Sequence, residues 1–289
     1  MTKNIFKNWV YVENPTDEEI KKLVKTFKLD ESLIRDALDP FEVSRSEKDN
    51  GKIYFFARTP LPINKDLMLT VPILFVLGKN FLITITPKEL PIFEKFFKVK
   101  NHKQTIIGLF IKIFEEIINT YNSSLILINR EIWQASTNVE KINSKDIAQF
   151  VNYERITNDY LSRLIQNGSI LNQLNNPKYI KLNEDESEAA EDLVLNNNQL
   201  IDVSKNSLQS VKNIRDAYST ILSNDLNRVI KLLTSLTIIL NVPTMIAGLW
   251  GMNVQVPFAK TIYGFGIVLI LVLIISIILI KIFRKKDWL

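Results

Sequence analysis

Two uncharged stretches near the C-terminus constrain this chain more than any other feature of its sequence. No charged residue occurs between Lys231 and Lys260, and none between Lys260 and Lys281. A helix needs about 20 apolar residues to cross the roughly 30 Å hydrocarbon core of a bilayer. The second stretch is apolar on all sides, whereas the first also contains Thr, Ser, Asn and Pro. We therefore predict two transmembrane helices, the second over residues 261–280, with the lipid bilayer as a partner.

The basic residues beside these two spans predict their orientation. Arg228 and Lys231 precede the first span, and a basic tail over residues 281–289 follows the second. The connector over residues 251–260 holds only Lys260. Because Lys and Arg are concentrated in cytoplasmic loops, we expect a multi-pass protein of the cytoplasmic membrane. Both termini would be cytoplasmic and the connector would be extracytoplasmic.

The composition excludes several classes of protein. The 289 residues include no cysteine and one histidine, which removes disulfide frameworks, thiolate nucleophiles and sites built on paired histidines. Residues 1–231 carry 31 Lys and Arg against 30 Asp and Glu, so they lack the broad positive face that nucleic acids require. No GxxxxGK[ST] loop for an ATP-driven pump is present. We predict a protein that is not an enzyme, with no organic cofactor and no nucleic-acid partner.

The segment before the spans is predicted to be a cytoplasmic domain that begins as α/β. Asn14, Pro15 and Thr16 form a helix start, and Gly78–Asn80 reads as a turn between strands. The predicted strands are Trp9–Val12, Lys52–Arg58, Leu67–Val76 and Phe81–Thr86. These elements place an α/β domain over residues 1–100. From about Lys103 the pattern is helical, with breaks near 136–138 and 175–177, which predicts a helical hairpin region over residues 101–182.

One long helix is predicted over residues 183–250, and it includes the first span. No Gly occurs there before Gly248, and the only Pro is Pro243. A helix of that length would extend roughly 100 Å at 1.5 Å per residue. It cannot stand alone as a stable element, so the sequence predicts association with other helices and an oligomer.

A stripe of small or hydrogen-bonding residues follows one face of this helix as it enters the membrane. Their steps of seven, three, four, three and four residues match a period near 3.5, and the stripe consists of Asn227, Thr234, Thr237, Asn241, Thr244 and Gly248. Unsatisfied polar groups cost several kcal/mol each in hydrocarbon. The stripe therefore meets either other helices in a dry interface or water in an axial pathway. Neutral oxygens suit a cation that keeps its water, such as Mg²⁺, and Ile230 with Leu233 could form an apolar gate.

The end of the first span resembles the signature of the CorA family of magnesium transporters. The run from Pro243 to Trp250 reads PTMIAGLW, and Gly251, Met252 and Asn253 follow it directly. The resemblance covers essentially the whole chain, including the basic tail. It implies an α/β cytoplasmic N-terminal domain followed by long helices and two C-terminal transmembrane helices, in a funnel-shaped homopentamer. Five first spans would then line the pore.

The resemblance also implies roles for particular residues. Gly251, Met252 and Asn253 would form the selectivity filter: Asn253 would supply a ring of amide oxygens, Gly251 would allow a turn that a β-carbon obstructs, and Met252 would pack beneath it. The implied pore and gate positions largely coincide with the stripe and are Asn227, Ile230, Leu233, Asn241, Thr244 and Gly248. The implied activity is channel-like transport of Mg²⁺, with less Co²⁺ and Ni²⁺, down the electrochemical gradient.

A regulatory divalent-cation sensor between subunits is implied as well. The family pattern places its two carboxylates at Asp36 and Asp192, where bound Mg²⁺ would hold the pentamer closed. Three departures stand out. Arg35 occupies a position where the family often has an acidic residue. Asn241 occupies a pore position where an apolar residue is common in the family. Residues 254–260 contain no acidic residue, whereas family members often carry acids there.

Two other functions are compatible with this sequence. A zinc transporter of the ZntB-like branch would share the same architecture. A non-transporting, membrane-anchored Mg²⁺ sensor would use the α/β domain without passing ions. Competition between Zn²⁺ and Mg²⁺ separates the first from a magnesium transporter, and the absence of any ion current would identify the second.

Overall fold

The structure is a computed structural model of the full chain, and it describes residues 2–6, 8–64, 67–97, 105–137, 144–254, 256–257 and 261–289. Lys103, Lys260 and residue 138 of the first predicted helix break lie outside the described residues. By its internal contacts the chain divides into two compact units, Met1–Arg215 and Asp216–Leu289.

The first unit contains a six-stranded sheet. Its spatial order is β1-β2-β6-β5-β4-β3, with β2 and β6 parallel and every other pair antiparallel. The strands are β1 (Thr2–Phe6), β2 (Trp9–Glu13), β3 (Arg45–Asp49), β4 (Lys52–Asn64), β5 (Leu67–Leu77) and β6 (Leu82–Thr86). All five residues of β6 are buried, because it lies inside the sheet and both faces of the sheet are covered.

Successive side chains of the sheet point to opposite faces and supply two separate cores. On β4, Tyr54 and Phe56 enter a core with helices α1 (Asp17–Phe27) and α2 (Glu31–Asp36). Phe55 points the other way, where its ring stacks on Phe110 at 5.2 Å between centroids. Helix α1 begins at the predicted place, since Thr16 and Glu19 form a capping box at its N-terminus.

Long helices follow the sheet in sequence. A short 3-10 turn (Pro91–Phe93) and α3 (Glu94–Phe97) lead to α4 (Ile106–Ser136) and α5 (Ser144–Leu174). Helix α6 then spans Glu184–Trp250 without interruption, and α7 spans Gly264–Lys285. The predicted long helix and the predicted break after Leu174 are therefore confirmed. Asn183 precedes α6 and exchanges two hydrogen bonds with Glu186, so the helix starts with a cap.

The sequence prediction of the sheet was incomplete. Strands β1 and β3 were not predicted, and β4 continues to Asn64 rather than ending at Arg58. Pro60 and Pro62 lie in this extension. Strand β3 pairs only with the Lys52–Phe56 part of β4, so one edge of β4 is open beyond that point. Proline lacks an N–H and is tolerated at such an open edge.

Among the described residues, two helices are long and apolar enough to cross a membrane, namely α6 and α7. In the most apolar 18-residue segment of each helix, 6% is buried within the chain in α6 and none in α7. A helix from the core of a soluble protein would be mostly buried. Their exposure therefore favours lipid or other copies of the chain as their surroundings.

Candidate ion pathway and regulatory carboxylates

The polar stripe of α6 is exposed along its whole length in the single chain. At 100° per residue, its six members lie within an arc of about 100° on the helix. All eight predicted pore and gate positions on α6 are exposed, which includes Thr234, Thr237 and Asn241 as well as Ile230 (50%) and Leu233 (55%). The backbone of one helix thus brings these residues to one continuous, unpartnered face.

The opposite face of the same helix is the one that is covered within the chain. Ser235 is fully buried, and Ile239, Val242 and Ile246 are partly buried. These residues lie on the side of α6 away from the stripe at 100° per residue. The stripe is therefore not the face through which α6 packs in its own chain, and it remains available to water or to other copies.

Two of the three threonine hydroxyls of the stripe donate their protons to their own helix. Thr237 Oγ1 donates to the Leu233 carbonyl at 2.8 Å, and Thr244 Oγ1 donates to the Leu240 carbonyl at 2.8 Å. A hydroxyl has one donor and two acceptor lone pairs. With the proton directed to the backbone, each oxygen presents only acceptor capacity to the outside of the helix. Such a surface accepts hydrogen bonds from water protons.

Two bulky apolar side chains interrupt the polar stripe toward the N-terminal end of the span. Ile230 lies within the arc of the stripe, and Leu233 lies about 20° beyond its edge; both follow Asn227 and precede Thr234 in sequence. Leu236, which is 46% exposed, lies about 80° beyond the same edge. Around a symmetry axis, Ile230 and Leu233 would therefore form an apolar constriction next to a polar lining.

The segment after α6 is a turn, and it carries the three residues of the predicted filter. Gly251 follows the last helical residue, and its N–H donates to the Ala247 carbonyl at 3.0 Å. A β-carbon at Gly251 would lie 3.4 Å from that carbonyl oxygen, which is an ordinary contact. Met252 is 54% exposed. The expected steric need for glycine and the expected packing of Met252 are therefore absent within one chain.

Asp36 is the last residue of α2, and it forms an ion pair with an arginine that sequence reasoning missed. Arg45 Nη2 lies 2.8 Å from Asp36 Oδ2, and Arg45 Nε lies 2.6 Å from Glu47 Oε1. Arg45 also pairs with Glu42 through Nη1, and its guanidinium lies over the Phe56 ring at 4.1 Å from the centroid. Only the fold brings Arg45 to Asp36, because they lie on α2 and β3, and β3 was not predicted.

The second predicted sensor residue, Asp192, is exposed on the first turns of α6. Among the residues that the structure describes, no group of three or more His, Cys, Asp or Glu side chains is arranged to hold a metal ion. Neither Asp36 nor Asp192 therefore belongs to such a group within the described part of one chain.

Comparisons with known proteins give a consistent result. The family model described as "CorA-like Mg2+ transporter protein" matches residues 7–285. The cobalt/magnesium transport protein CorA of Methanocaldococcus jannaschii is 27% identical, over 97% of this chain and 90% of that protein. The magnesium transport protein CorA of Wolinella succinogenes is 24% identical, over 100% and 92%.

A solved structure agrees with these sequence relatives. The complete structure of the CorA magnesium transporter from Methanocaldococcus jannaschii superimposes with a TM-score of 0.88 and 25% sequence identity. The match covers 97% of this chain and 91% of that one. The likeness therefore includes the α/β domain, the long helix and both apolar C-terminal helices.

Proposed function

The chain belongs to the CorA family, and from this membership we propose that it transports Mg²⁺ across the cytoplasmic membrane as a channel-like homopentamer. Co²⁺ and Ni²⁺ would pass less well. The observation that carries the proposal is the exposed polar stripe of α6, which ends at Gly251, Met252 and Asn253. Five copies of this face around one axis would line the pore, and the second spans would form an outer ring.

The chemistry of the stripe suits an ion that keeps its hydration shell. Mg²⁺ releases its waters reluctantly, and the protons of those waters point away from the ion. The lining must therefore accept hydrogen bonds, as the hydroxyl oxygens of Thr237 and Thr244 can do. At the outer mouth, the amide oxygens of an Asn253 ring would accept from the same waters without displacing them. A ring of carboxylates is not needed for this form of selection.

The ion would move down its electrochemical gradient with both termini of the chain in the cytoplasm. An inside-negative potential favours inward movement by about 2.3 kcal/mol per charge per 100 mV, and by roughly twice that for a divalent ion. Ile230 and Leu233 would form the gate, since an apolar constriction can close a pore by dewetting. Loss of water there would block a hydrated ion even when the backbone moves little.

Regulation would come from cytoplasmic Mg²⁺ held between Asp36 of one subunit and Asp192 of its neighbour. Two carboxylates at an interface repel each other unless a cation lies between them. Arg45 weakens this effect, because it pairs with Asp36 at 2.8 Å and shares its charge among Asp36, Glu42 and Glu47. Mg²⁺ would therefore compete with Arg45 for Asp36, and the sensor of this chain would respond at higher Mg²⁺ than one without such an arginine.

The direct test of the proposed activity is ion flux with one cation at a time. Purified full-length protein in liposomes, under an inside-negative potential, is expected to admit Mg²⁺ readily and Co²⁺ and Ni²⁺ more slowly. Faster uptake of Zn²⁺ than of Mg²⁺, with competition between them, would assign the chain to zinc transport instead. An absence of flux for every ion would contradict transport and favour a membrane-anchored sensor.

Arg45→Ala is expected to make the regulatory response more sensitive to Mg²⁺. The substitution leaves Asp36, Glu42 and Glu47 without their shared cation, so the protein without Mg²⁺ becomes less stable by about 1–3 kcal/mol. Mg²⁺ then binds without displacing an arginine. Limited proteolysis across a Mg²⁺ titration measures this, and the concentration giving half-maximal protection should fall several-fold.

The matched control for this titration is Arg215→Ala. Arg215 also forms an ion pair, with Glu154 at 2.5 Å, but it touches neither predicted sensor residue. Its removal should leave the Mg²⁺ midpoint unchanged. The double variant Asp36→Ala with Asp192→Ala should lose Mg²⁺-dependent protection altogether. An Arg45→Ala midpoint equal to that of the unmodified protein would contradict the competition.

A further inference from the structure

A cavity of about 490 Å³ opens in the first unit, and its described lining includes neither predicted sensor carboxylate. It is lined by residues of β4, β5, α5 and the loops after α2 and β6. Four of its lining residues are cations and one is an acid, namely Arg58, Lys88, Arg155, Arg163 and Asp159. A cavity with this charge balance repels divalent cations and attracts anions.

Arg58 is the buried cation of this cavity, with 4% of its surface exposed. All its hydrogen bonds go to neutral oxygens: Nε donates to Thr70 Oγ1 at 3.1 Å, Nη1 to the Glu42 carbonyl at 2.7 Å, and Nη2 to the Pro40 and Thr70 carbonyls at 2.8 and 2.6 Å. These bonds fix the guanidinium but leave its charge without a directly bonded anion. Burial, and next the positive charge of Arg163, lower the pKa of Arg58.

Asp159, the one acid of the described lining, is already engaged. Asp159 Oδ1 lies 3.2 Å from Arg163 Nε, and Asp159 Oδ2 accepts a hydrogen bond from Thr70 Oγ1 at 3.1 Å. Within the described part of the chain, Lys88 has no ion pair, and Arg155 donates only to the neutral Asn152 side chain. Within the described residues, three cations that line the cavity therefore form no ion pair with a carboxylate, namely Arg58, Lys88 and Arg155. Arg58 is the buried one.

The remaining wall is apolar and ends in an exposed aromatic ring. Val71 and Ile156 are buried at the cavity, whereas Phe41 is 85% exposed at its edge. Arginine and lysine recognise phosphate through charge-assisted hydrogen bonds. An aromatic ring offers a surface on which a planar base stacks. The volume also lies within the range of cavities that bind small organic ligands.

We propose that this cavity binds a nucleoside phosphate, with the phosphate held by Arg155, Lys88 and the buried Arg58, and the base placed against Phe41. Inorganic phosphate would satisfy the same cations but would leave Phe41 unused. This proposal does not depend on ion conduction. Absence of ion transport would not contradict the binding site, and absence of nucleotide binding would not contradict transport.

Calorimetric titration of the full-length protein in detergent tests the site, with AMP and inorganic phosphate as separate probes in Mg²⁺-free buffer at fixed ionic strength. AMP should bind, and Arg155→Gln and Lys88→Gln should each weaken its binding about tenfold or more, as expected for one lost charge-assisted hydrogen bond. Phe41→Ala should weaken AMP binding and leave inorganic phosphate unaffected. Both cations and the ring are at the surface, so these variants are expected to fold.

The control variant is Lys25→Gln, which removes an exposed lysine of α1 that does not line the cavity. It should bind AMP like the unmodified protein. No AMP binding, or an equal loss in the Lys25→Gln variant, would overturn the site. Inorganic phosphate that binds as tightly as AMP, with no effect of Phe41→Ala, would overturn the assignment to a nucleoside phosphate.

Discussion

Asn253→Ala is expected to reduce Mg²⁺ flux in liposomes at least about tenfold. A tenfold change corresponds to about 1.4 kcal/mol, and each hydrogen bond between an amide oxygen and a water of the ion contributes about 1 kcal/mol. In the proposed homopentamer, a ring of five such amides would lose several of these bonds together. The effect should be largest at low Mg²⁺, because residues 254–260 contain no acid that could concentrate cations at the mouth.

Two further variants separate selection at the mouth from general damage. Asn253→Asp keeps two acceptor oxygens and should retain more flux than Asn253→Ala. Asn119→Ala removes an exposed asparagine of α4, far along the chain from the predicted filter, and should transport normally. Unchanged Mg²⁺ flux in Asn253→Ala would contradict a role for Asn253 in ion selection.

Leu233→Ser is expected to raise Mg²⁺ flux about tenfold under conditions that hold the pore closed, namely high Mg²⁺ on the cytoplasmic side. An apolar ring excludes water from a narrow pore, whereas a ring of hydroxyls keeps it wet. Leu233 lies about 20° beyond the edge of the arc of the stripe and is 55% exposed, so its side chain is available to such a ring. The measurement is residual ion flux as a function of Mg²⁺ on the cytoplasmic side.

Leu236→Ser is the matched control for the gate. Leu236 lies three residues further along α6 and is also exposed, at 46%, but it points outside the arc of the stripe. The same change of side chain at this position should leave the closed pore closed. Equal leakage in the two variants would indicate loosened helix packing rather than a gate, and closed pores in both would contradict gating at Leu233.

The sequence was most informative where one pattern repeats over many residues. The uncharged runs and the Gly-poor stretch predicted α7 and the long α6, and the structure has both. The stripe could be predicted because helical periodicity alone determines which residues share a face. Its exposure could not be predicted, since the packing of α6 within its own chain depends on Ser235 and Val242 on the opposite face.

Interactions between residues that are distant in sequence could not be predicted from sequence patterns. The pairing of β1 with β2 and of β3 with β4 depends on neighbouring strands, and neither β1 nor β3 has the alternating apolar residues that mark a strand. Arg45 reaches Asp36 only because β3 passes the end of α2. The cations Arg58, Lys88 and Arg155 are likewise far apart in sequence, and only the fold places them around one cavity.

Water accessibility of α6 tests the central claim most directly, and the chain is suited to it because it contains no cysteine. Single variants Thr237→Cys and Thr244→Cys would be treated in liposomes with a charged, membrane-impermeant thiol reagent, with Leu236→Cys and Val242→Cys as controls. Thiols react as thiolates, which form only where water reaches them. We expect the cysteines at positions 237 and 244 to be modified, with loss of Mg²⁺ flux. The cysteines at positions 236 and 242 should stay unmodified, and Mg²⁺ flux should be unchanged. Stripe cysteines that stay unmodified while Mg²⁺ flows would contradict the central claim.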